Sequence, residues 1–239
     1  MGKRLIQQAR GKGSPTYRAP SHRYVGQVKY PLLKDKKVIK GEIKDIIKCP
    51  GHESPLLVLK YDNGDYGLNI APEGVKTGDV IEIGATDKIS AGNTMYLKDI
   101  PEGTSIFNIE NLPGDGGKFV RSAGGFAKII SKMKNEVLVQ LPSKKRKKFK
   151  GDCKATIGII AAGGRKEKPM LKAGKKYHAM KAKNKLYPRV SGASMNAVDH
   201  PFGGSRSSRK GRATVAPKNA PPGRKVGMLR PKRVGRRKK

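Results

Sequence analysis

The sequence predicts an all-β fold: two small barrels in succession, flanked by extended basic arms. Three observations predict it. Charge is sharply segregated along the chain. The near-neutral middle is built of short apolar segments divided by turn residues, the pattern of small barrels. No long segment carries a convincing helical period.

The chain has 239 residues, 53 Lys+Arg and 18 Asp+Glu, for a formal net charge of +35. Residues 1–40 hold net +10, residues 41–142 net −3 and residues 143–239 net +28. A compact chain with such a charge repels itself, so a large anionic partner is expected. Apolar residues are 36% and aromatics 5%, with 30 Gly and 16 Pro. One large core is therefore not expected. The arms have too little apolar surface to offset chain entropy and should order on a polyanion.

The elements follow in order. Ile43, Ile46 and Ile47 lie in a first apolar segment. Leu56-Leu57-Val58-Leu59 is a second, followed by Tyr61-Asp62-Asn63-Gly64. Asn63-Gly64 predicts a type I′ hairpin, which needs positive φ at both central residues. Tyr66, Leu68 and Ile70 then alternate with Gly67 and Asn69, as in a half-buried strand. Val80 to Ile83 closes a first barrel. Thr104–Glu110, Phe126–Ile130, Glu136–Leu141 and Ala155–Ala161 predict a second, over about residues 98–170. Residues 171–183 can hold a short helix. Residues 190–239 contain 14 Lys+Arg, 12 Gly+Pro and one acid, Asp199, which is the composition of an extended arm.

Several function classes fall away. No stretch approaches the roughly 18 apolar residues of a membrane span. Residues 1–10 lack the apolar run of a secretory signal. Cys49 and Cys153 are isolated, which disfavours a disulfide scaffold and fits a reducing compartment. His22, His52, His178 and His200 have no ligand spacing to one another or to a Cys, so no metal site and no cofactor are expected. Gly116-Gly117-Lys118-Phe119 fails as a phosphate loop, because Leu112 and Phe119 stand where Gly and Ser/Thr are required. A glycine turn that lets main chain approach a surface is the better reading there and at Ala162-Gly163-Gly164-Arg165.

The basic run Lys144-Lys145-Arg146-Lys147-Lys148 reads as phosphate contact rather than a merely solvated hairpin tip. Asp199-His200 is the one pair with a catalytic look. No nucleophile motif accompanies it, and stacking on or hydrogen bonding to RNA is the better reading of His200. Tyr17, Tyr24, Tyr187 and Phe202 are candidates to stack on bases.

The segment from Ser191 through Asn196, Asp199, His200, Pro201 and Phe202 to Gly204 resembles the signature of the universal ribosomal large-subunit protein L-two family. So do Pro113 to Lys118, Arg121 to Gly124, Lys172-Ala173-Gly174 and Ala220 to Gly227. The resemblance covers nearly the whole chain and points to the archaeal-type branch. It implies a basic N-terminal extension (1–35), an OB-like barrel (36–97), an SH3-like barrel with a short helix (98–185) and an extended rRNA-binding tail (186–239). It further implies a cytoplasmic structural constituent of the large subunit and a primary rRNA binder. Such a protein supports subunit association, tRNA positioning and the architecture of the peptidyl-transferase centre. Neighbouring ribosomal proteins and the small subunit are expected partners; a membrane, a stable homo-oligomer and enzymatic turnover are not.

The residues carried over as RNA contacts are Arg121, Arg189, Asn196, His200 and Arg224. The basic run, Arg165, Arg206, Arg209 and Lys225 join them by charge. Two positions depart from the family pattern. Ser191 stands where many members have Arg, and Phe202 where bacterial forms have a second His. That Phe undermines an acid–base role for His200, which is read as architectural. A general nucleic-acid packaging protein is the runner-up, but packaging tails need only charge, and this tail is varied. An enzyme on RNA using Asp199 and His200 is the third reading.

Overall fold

Ten strands and one helix make up the regular structure of a computed structural model, which describes residues 11–33, 38–204, 214–221 and 223–231. The chain divides into two units: Ser21–Leu171, and Met1–Pro20 with Lys172–Lys239.

The unit Ser21–Leu171 holds all ten strands. They are β1 (Val38–Ile47), β2 (Leu56–Tyr61), β3 (Tyr66–Ile70), β4 (Val80–Gly84), β5 (Thr94–Tyr96), β6 (Ser105–Phe107), β7 (Ala127–Lys132), β8 (Glu136–Gln140), β9 (Arg146–Lys150) and β10 (Lys154–Ile157). Their order in one continuous sheet is β3-β2-β1-β4-β5-β10-β6-β7-β8-β9. All pairs are antiparallel except β4 with β5, which touch at Ile83 and Thr94. The fold is all-β, as the sequence predicts.

Two apolar clusters correspond to the two groups of strand-like segments. The first gathers Ile39, Ile43, Leu57, Leu59, Tyr61, Ala71, Ile81 and Ile83. The second gathers residues from Met95 and Leu97 to Ile157, with Ile106, Ile129, Val137, Val139 and Phe149 among them. A third joins them: Val28, Cys49, Leu56, Ile70, Phe107 and Ile160. Leu56 and Leu57 thus serve different clusters, because successive strand residues face opposite sides of the sheet. A bulge in β1 between Ile43 and Asp45 resets that alternation. Ile46 is left exposed, while Ile47 packs against the joining cluster.

Three details differ from the sequence expectation. Gly64 alone takes positive φ in the β2–β3 hairpin, so the turn is not type I′. It is a hydrogen-bonded turn closed by Gly64 N–H on Tyr61 O (3.0 Å), with Gly64 as the left-handed residue of a bulge. The Asn63 side chain binds the backbone and carboxylate of Asp65, which anchors the turn without requiring positive φ. Second, β5 was not anticipated, since three residues between polar turns are too few for a period. Third, β9 begins inside the basic run, where Phe149 is the one apolar mark of alternation.

The N-terminal extension is in part core. Val28 is 1% exposed and Tyr30 5%. The Tyr30 hydroxyl donates to Asn108 O (2.7 Å) and is 2.7 Å from Thr156 Oγ1. Thr156 in turn lies 3.0 Å from Thr94 Oγ1. Burial holds the Tyr30 phenol well above its ordinary range. These residues order on the protein's own apolar surface, whereas composition alone suggested a polyanion.

The helix α1 (Ala173–Lys181) belongs to the second unit and falls within the expected segment 171–183. None of its residues is buried. In the tail beyond it, Phe202 is 7% and Ala220 9% exposed.

Both cysteines are buried, and burial pushes the Cys153 thiol up to about 11. At pH 8 the native chain should therefore resist iodoacetamide at Cys49 and Cys153, and both should react after denaturation. Mass spectrometry of the alkylated protein reads this directly; fast native labelling of either would contradict the packing.

Candidate nucleic-acid interface

The glycine loops come first, because they set where basic side chains can stand. In the loop 113–118, Gly114, Gly116 and Gly117 all have positive φ. The amides of Asp115 to Lys118 are already engaged. Asn111 and Leu112 donate to Asp115 Oδ2, Gly117 to Asp115 Oδ1 and Gly116 to Glu110 Oε1. Asp115 and Lys118 donate to main-chain carbonyls. Within the loop, the Gly116 and Gly117 amides are thus taken by the protein's own carboxylates and those of Asp115 and Lys118 by its carbonyls.

Arg121 follows that loop. Its guanidinium donates to Gly117 O (3.0 Å) and Val28 O (3.5 Å). Burial pulls its pKa below the usual value. It fastens the N-terminal segment to the loop, with part of its surface still accessible. Gly124 and Gly163 then cross back to back: a Cβ on Gly124 would lie 2.5 Å from Gly163 Cα. This crossing joins the Arg121 loop to the turn that carries Arg165. Arg165 is exposed, and its Nη1 donates to Glu53 O at 2.8 Å.

The basic run is divided by the β8–β9 hairpin. Lys144 and Lys145 occupy the turn, with Lys144 at φ +62, and Arg146 opens β9. All three are exposed. Lys147 points the other way. Its Nζ lies 3.9 Å from the Phe119 ring centre and 4.9 Å from that of Phe149, and donates to Asn111 Oδ1 at 2.9 Å. That is an internal cation–π contact. Lys148 faces outward and pairs with Glu136 at 3.1 Å. Period-two alternation thus parts two lysines that a charge count treats alike.

In the tail, the signature segment folds on itself. His200 N–H and Asp199 N–H donate to Asn196 O, and Gly203 N–H donates to His200 O. Phe202 N–H donates to His200 Nδ1 at 3.0 Å. The imidazole lies against Gly192, where any Cβ would collide with it. A Cβ on Gly203 would likewise collide with the carbonyls of Met195 and Asn196. His200 is therefore a fixed part of the turn. Asn196 and Asp199 are exposed.

Phe202, a stacking candidate from the sequence, is only 7% exposed. It is enclosed by the returning tail, which closes through Val215 and Met228. Pro201, Phe202, Val215, Pro217, Arg224 and Val226 line a cleft of about 390 Å³ there, so Arg224 is brought to the signature turn. Arg224, Lys225 and Arg189 are exposed. Arg206 and Arg209 lie outside the described residues. The Tyr24 ring is partly buried and packs on Gly51 at the distance of a missing Cβ. Tyr17 and Tyr187 line an open cleft. Among the described residues, no three His, Cys, Asp or Glu side chains come together to hold a metal. No described helix is long and apolar enough to cross a membrane.

Fold and charge together define a class: a small β-core carrying strongly basic extensions held by glycine turns. Comparison with known proteins names the family. The family model described as ribosomal proteins L2, C-terminal domain, matches residues 90–222. The large ribosomal subunit protein uL2 of Methanocaldococcus jannaschii is 51% identical over 242 residues, covering all of both chains. Those of Methanosphaera stadtmanae and Archaeoglobus fulgidus are each 50% identical, over 241 and 238 residues, again covering all of both. The chain belongs to the ribosomal protein L2 family and is an archaeal-type member.

The glycine crossing makes a sharp prediction. Gly124→Ala meets Gly163 backbone and must also hold φ +67, whereas Gly114→Ala meets nothing within 4 Å and has only its φ of +83 to bear. Gly114→Ala should cost about 1–2 kcal/mol, the usual left-handed penalty, and Gly124→Ala clearly more. Urea unfolding of the two variants checks the order.

Proposed function

We propose that this protein is a structural constituent of the large ribosomal subunit, in the cytoplasm, where it binds large-subunit rRNA and performs no catalysis of its own. The observation that carries this reading is the division of labour in the tail. Gly192, Gly203, His200 and Phe202 hold the turns internally, while Arg189, Asn196, Arg224 and Lys225 stand exposed. The tail is a shaped presentation of charge. Phosphate contacts give affinity, and the path of the chain gives position.

In the finer reading, Arg121, Arg165 and the exposed part of the basic run add contacts from the β-core. The protein would then support subunit association, tRNA positioning and the architecture around the peptidyl-transferase centre, beside neighbouring ribosomal proteins and facing the small subunit. His200 takes part as a turn-former. Its Nδ1 accepts from Phe202 N–H, so that atom is engaged in holding the turn.

Two experiments test the proposal. Protein–RNA cross-linking in cells should map peptides from residues 118–125 and 186–205 to a few fixed positions in large-subunit rRNA; scatter over many RNAs or over DNA would point to packaging instead. His200→Ala should reduce incorporation into large subunits. Normal assembly with abolished peptide-bond formation would favour a catalytic histidine. In solution, each phosphate neutralised should add roughly −0.7 to −0.9 to the log–log salt slope, so binding through about ten contacts should collapse between low and moderate salt.

A further inference from the structure

The second unit contains a cleft that neither the basic run nor the signature turn accounts for. It has a volume of about 1010 Å³. Its lining carries Tyr17, Tyr177 and Tyr187 together with Lys176, Lys181 and Arg189. No Asp or Glu lines it. The residues come from two distant stretches of chain, and a side chain ties them together. Asn184 Nδ2 donates to the carbonyls of Pro15 (3.1 Å), Thr16 (3.0 Å) and Arg18 (2.8 Å). Asn184 itself sits at φ +49, in the left-handed region where Asn is tolerated best among side-chain-bearing residues.

The cleft is built from an element that is otherwise unexplained. Helix α1 has nine residues and buries none of them. So short a helix is marginal in water without a packed face. Its aromatic and cationic side chains are exposed together: Tyr177 is 44% exposed, with Lys181 Nζ 5.9 Å from its ring centre. Lys176 Nζ lies 5.3 Å from the Tyr187 ring centre. Aromatic faces interleaved with cations, with no acid among them, fit a ligand that is planar and anionic at once.

We propose that this cleft binds one unpaired RNA nucleotide, with its base stacked against Tyr17 and Tyr187 and its phosphates held by Lys176, Lys181 and Arg189. This rests on the rRNA-binding reading above and deepens it. Stacking on aromatic side chains requires a base free of its partner, so the cleft selects single-stranded RNA over duplex. The cations alone would not discriminate, because both forms carry phosphates.

The test uses the full-length chain and two fluorescently labelled RNAs of equal length and mixed sequence, one single-stranded and one duplex, titrated at fixed salt. Tyr17→Ala with Tyr187→Ala should weaken single-strand binding by about tenfold or more, as loss of base stacking does, and leave duplex binding unchanged. Tyr17→Phe with Tyr187→Phe keeps the rings and should restore single-strand binding. The proposal is overturned if the alanine pair binds single strands as the wild type does, or if it weakens both RNAs equally and the phenylalanine pair does the same. Failure of the wild-type chain to bind either RNA would instead remove the rRNA-binding reading, and this one with it.

Discussion

The buried polar junction around Tyr30 and Thr156 is the interaction on which the rest of the β-unit depends. Tyr30 reaches from the N-terminal segment into the middle of the sheet, and its hydroxyl meets Asn108 O and Thr156 Oγ1. Thr156 lies on β10, the strand that pairs with both β5 and β6. In the loop that follows β6, Glu110 is fully buried and accepts from the backbone of Gly116 and Lys154. Burying a polar group costs free energy unless it is hydrogen-bonded, so these bonds favour the register in which the two strand groups meet here. Lys154 completes the arrangement by donating to Pro31 O, and burial lowers its pKa.

So basic a chain keeps an ordered core because its apolar residues gather in three clusters. The strongly cationic segments are kept out of it, and the few cations inside are given specific tasks. Arg121 binds two carbonyls, and Lys147 lies over Phe119 and Phe149. Neither contact could be made by an arbitrary positive charge. A guanidinium fork spans two acceptors, and an amine needs ring faces close by. Apart from the buried Lys154, most of the other described cations are exposed, where water and salt screen their mutual repulsion.

The glycines show the same economy. Several that suggest contact with a foreign surface in fact allow this protein's own backbone to cross itself. Gly124 meets Gly163, Gly117 meets Asn108, and Gly203 meets the carbonyls of Met195 and Asn196. Signature residues such as Gly192 and Phe202 act on His200, one by leaving room for its ring and the other by donating to Nδ1. The path of the tail is thus set by turns held through internal bonds and close backbone contacts, with Arg189, Arg224 and Lys225 exposed along it.

By itself, the sequence determined the all-β class, most strands and the family, because these follow from local patterns: alternation, turn residues, charge blocks and a long specific motif. It also placed a helix within 171–183. The tertiary structure decided what local pattern cannot carry. Whether a lysine in the basic run faces out or in depends on strand register, and Lys147 turns inward because β9 pairs with β8. Whether an aromatic side chain is free to stack depends on distant chain: Phe202 is covered by residues near 215–228, while Tyr17 and Tyr187 share a cleft because Asn184 holds the N-terminal segment. Part of the N-terminal extension became core because Val28 and Tyr30 find a complementary apolar and polar site some 80 residues and more away in sequence, at Asn108 and Thr156. Composition reports how much apolar surface a segment owns; only the folded chain decides whose surface it can share.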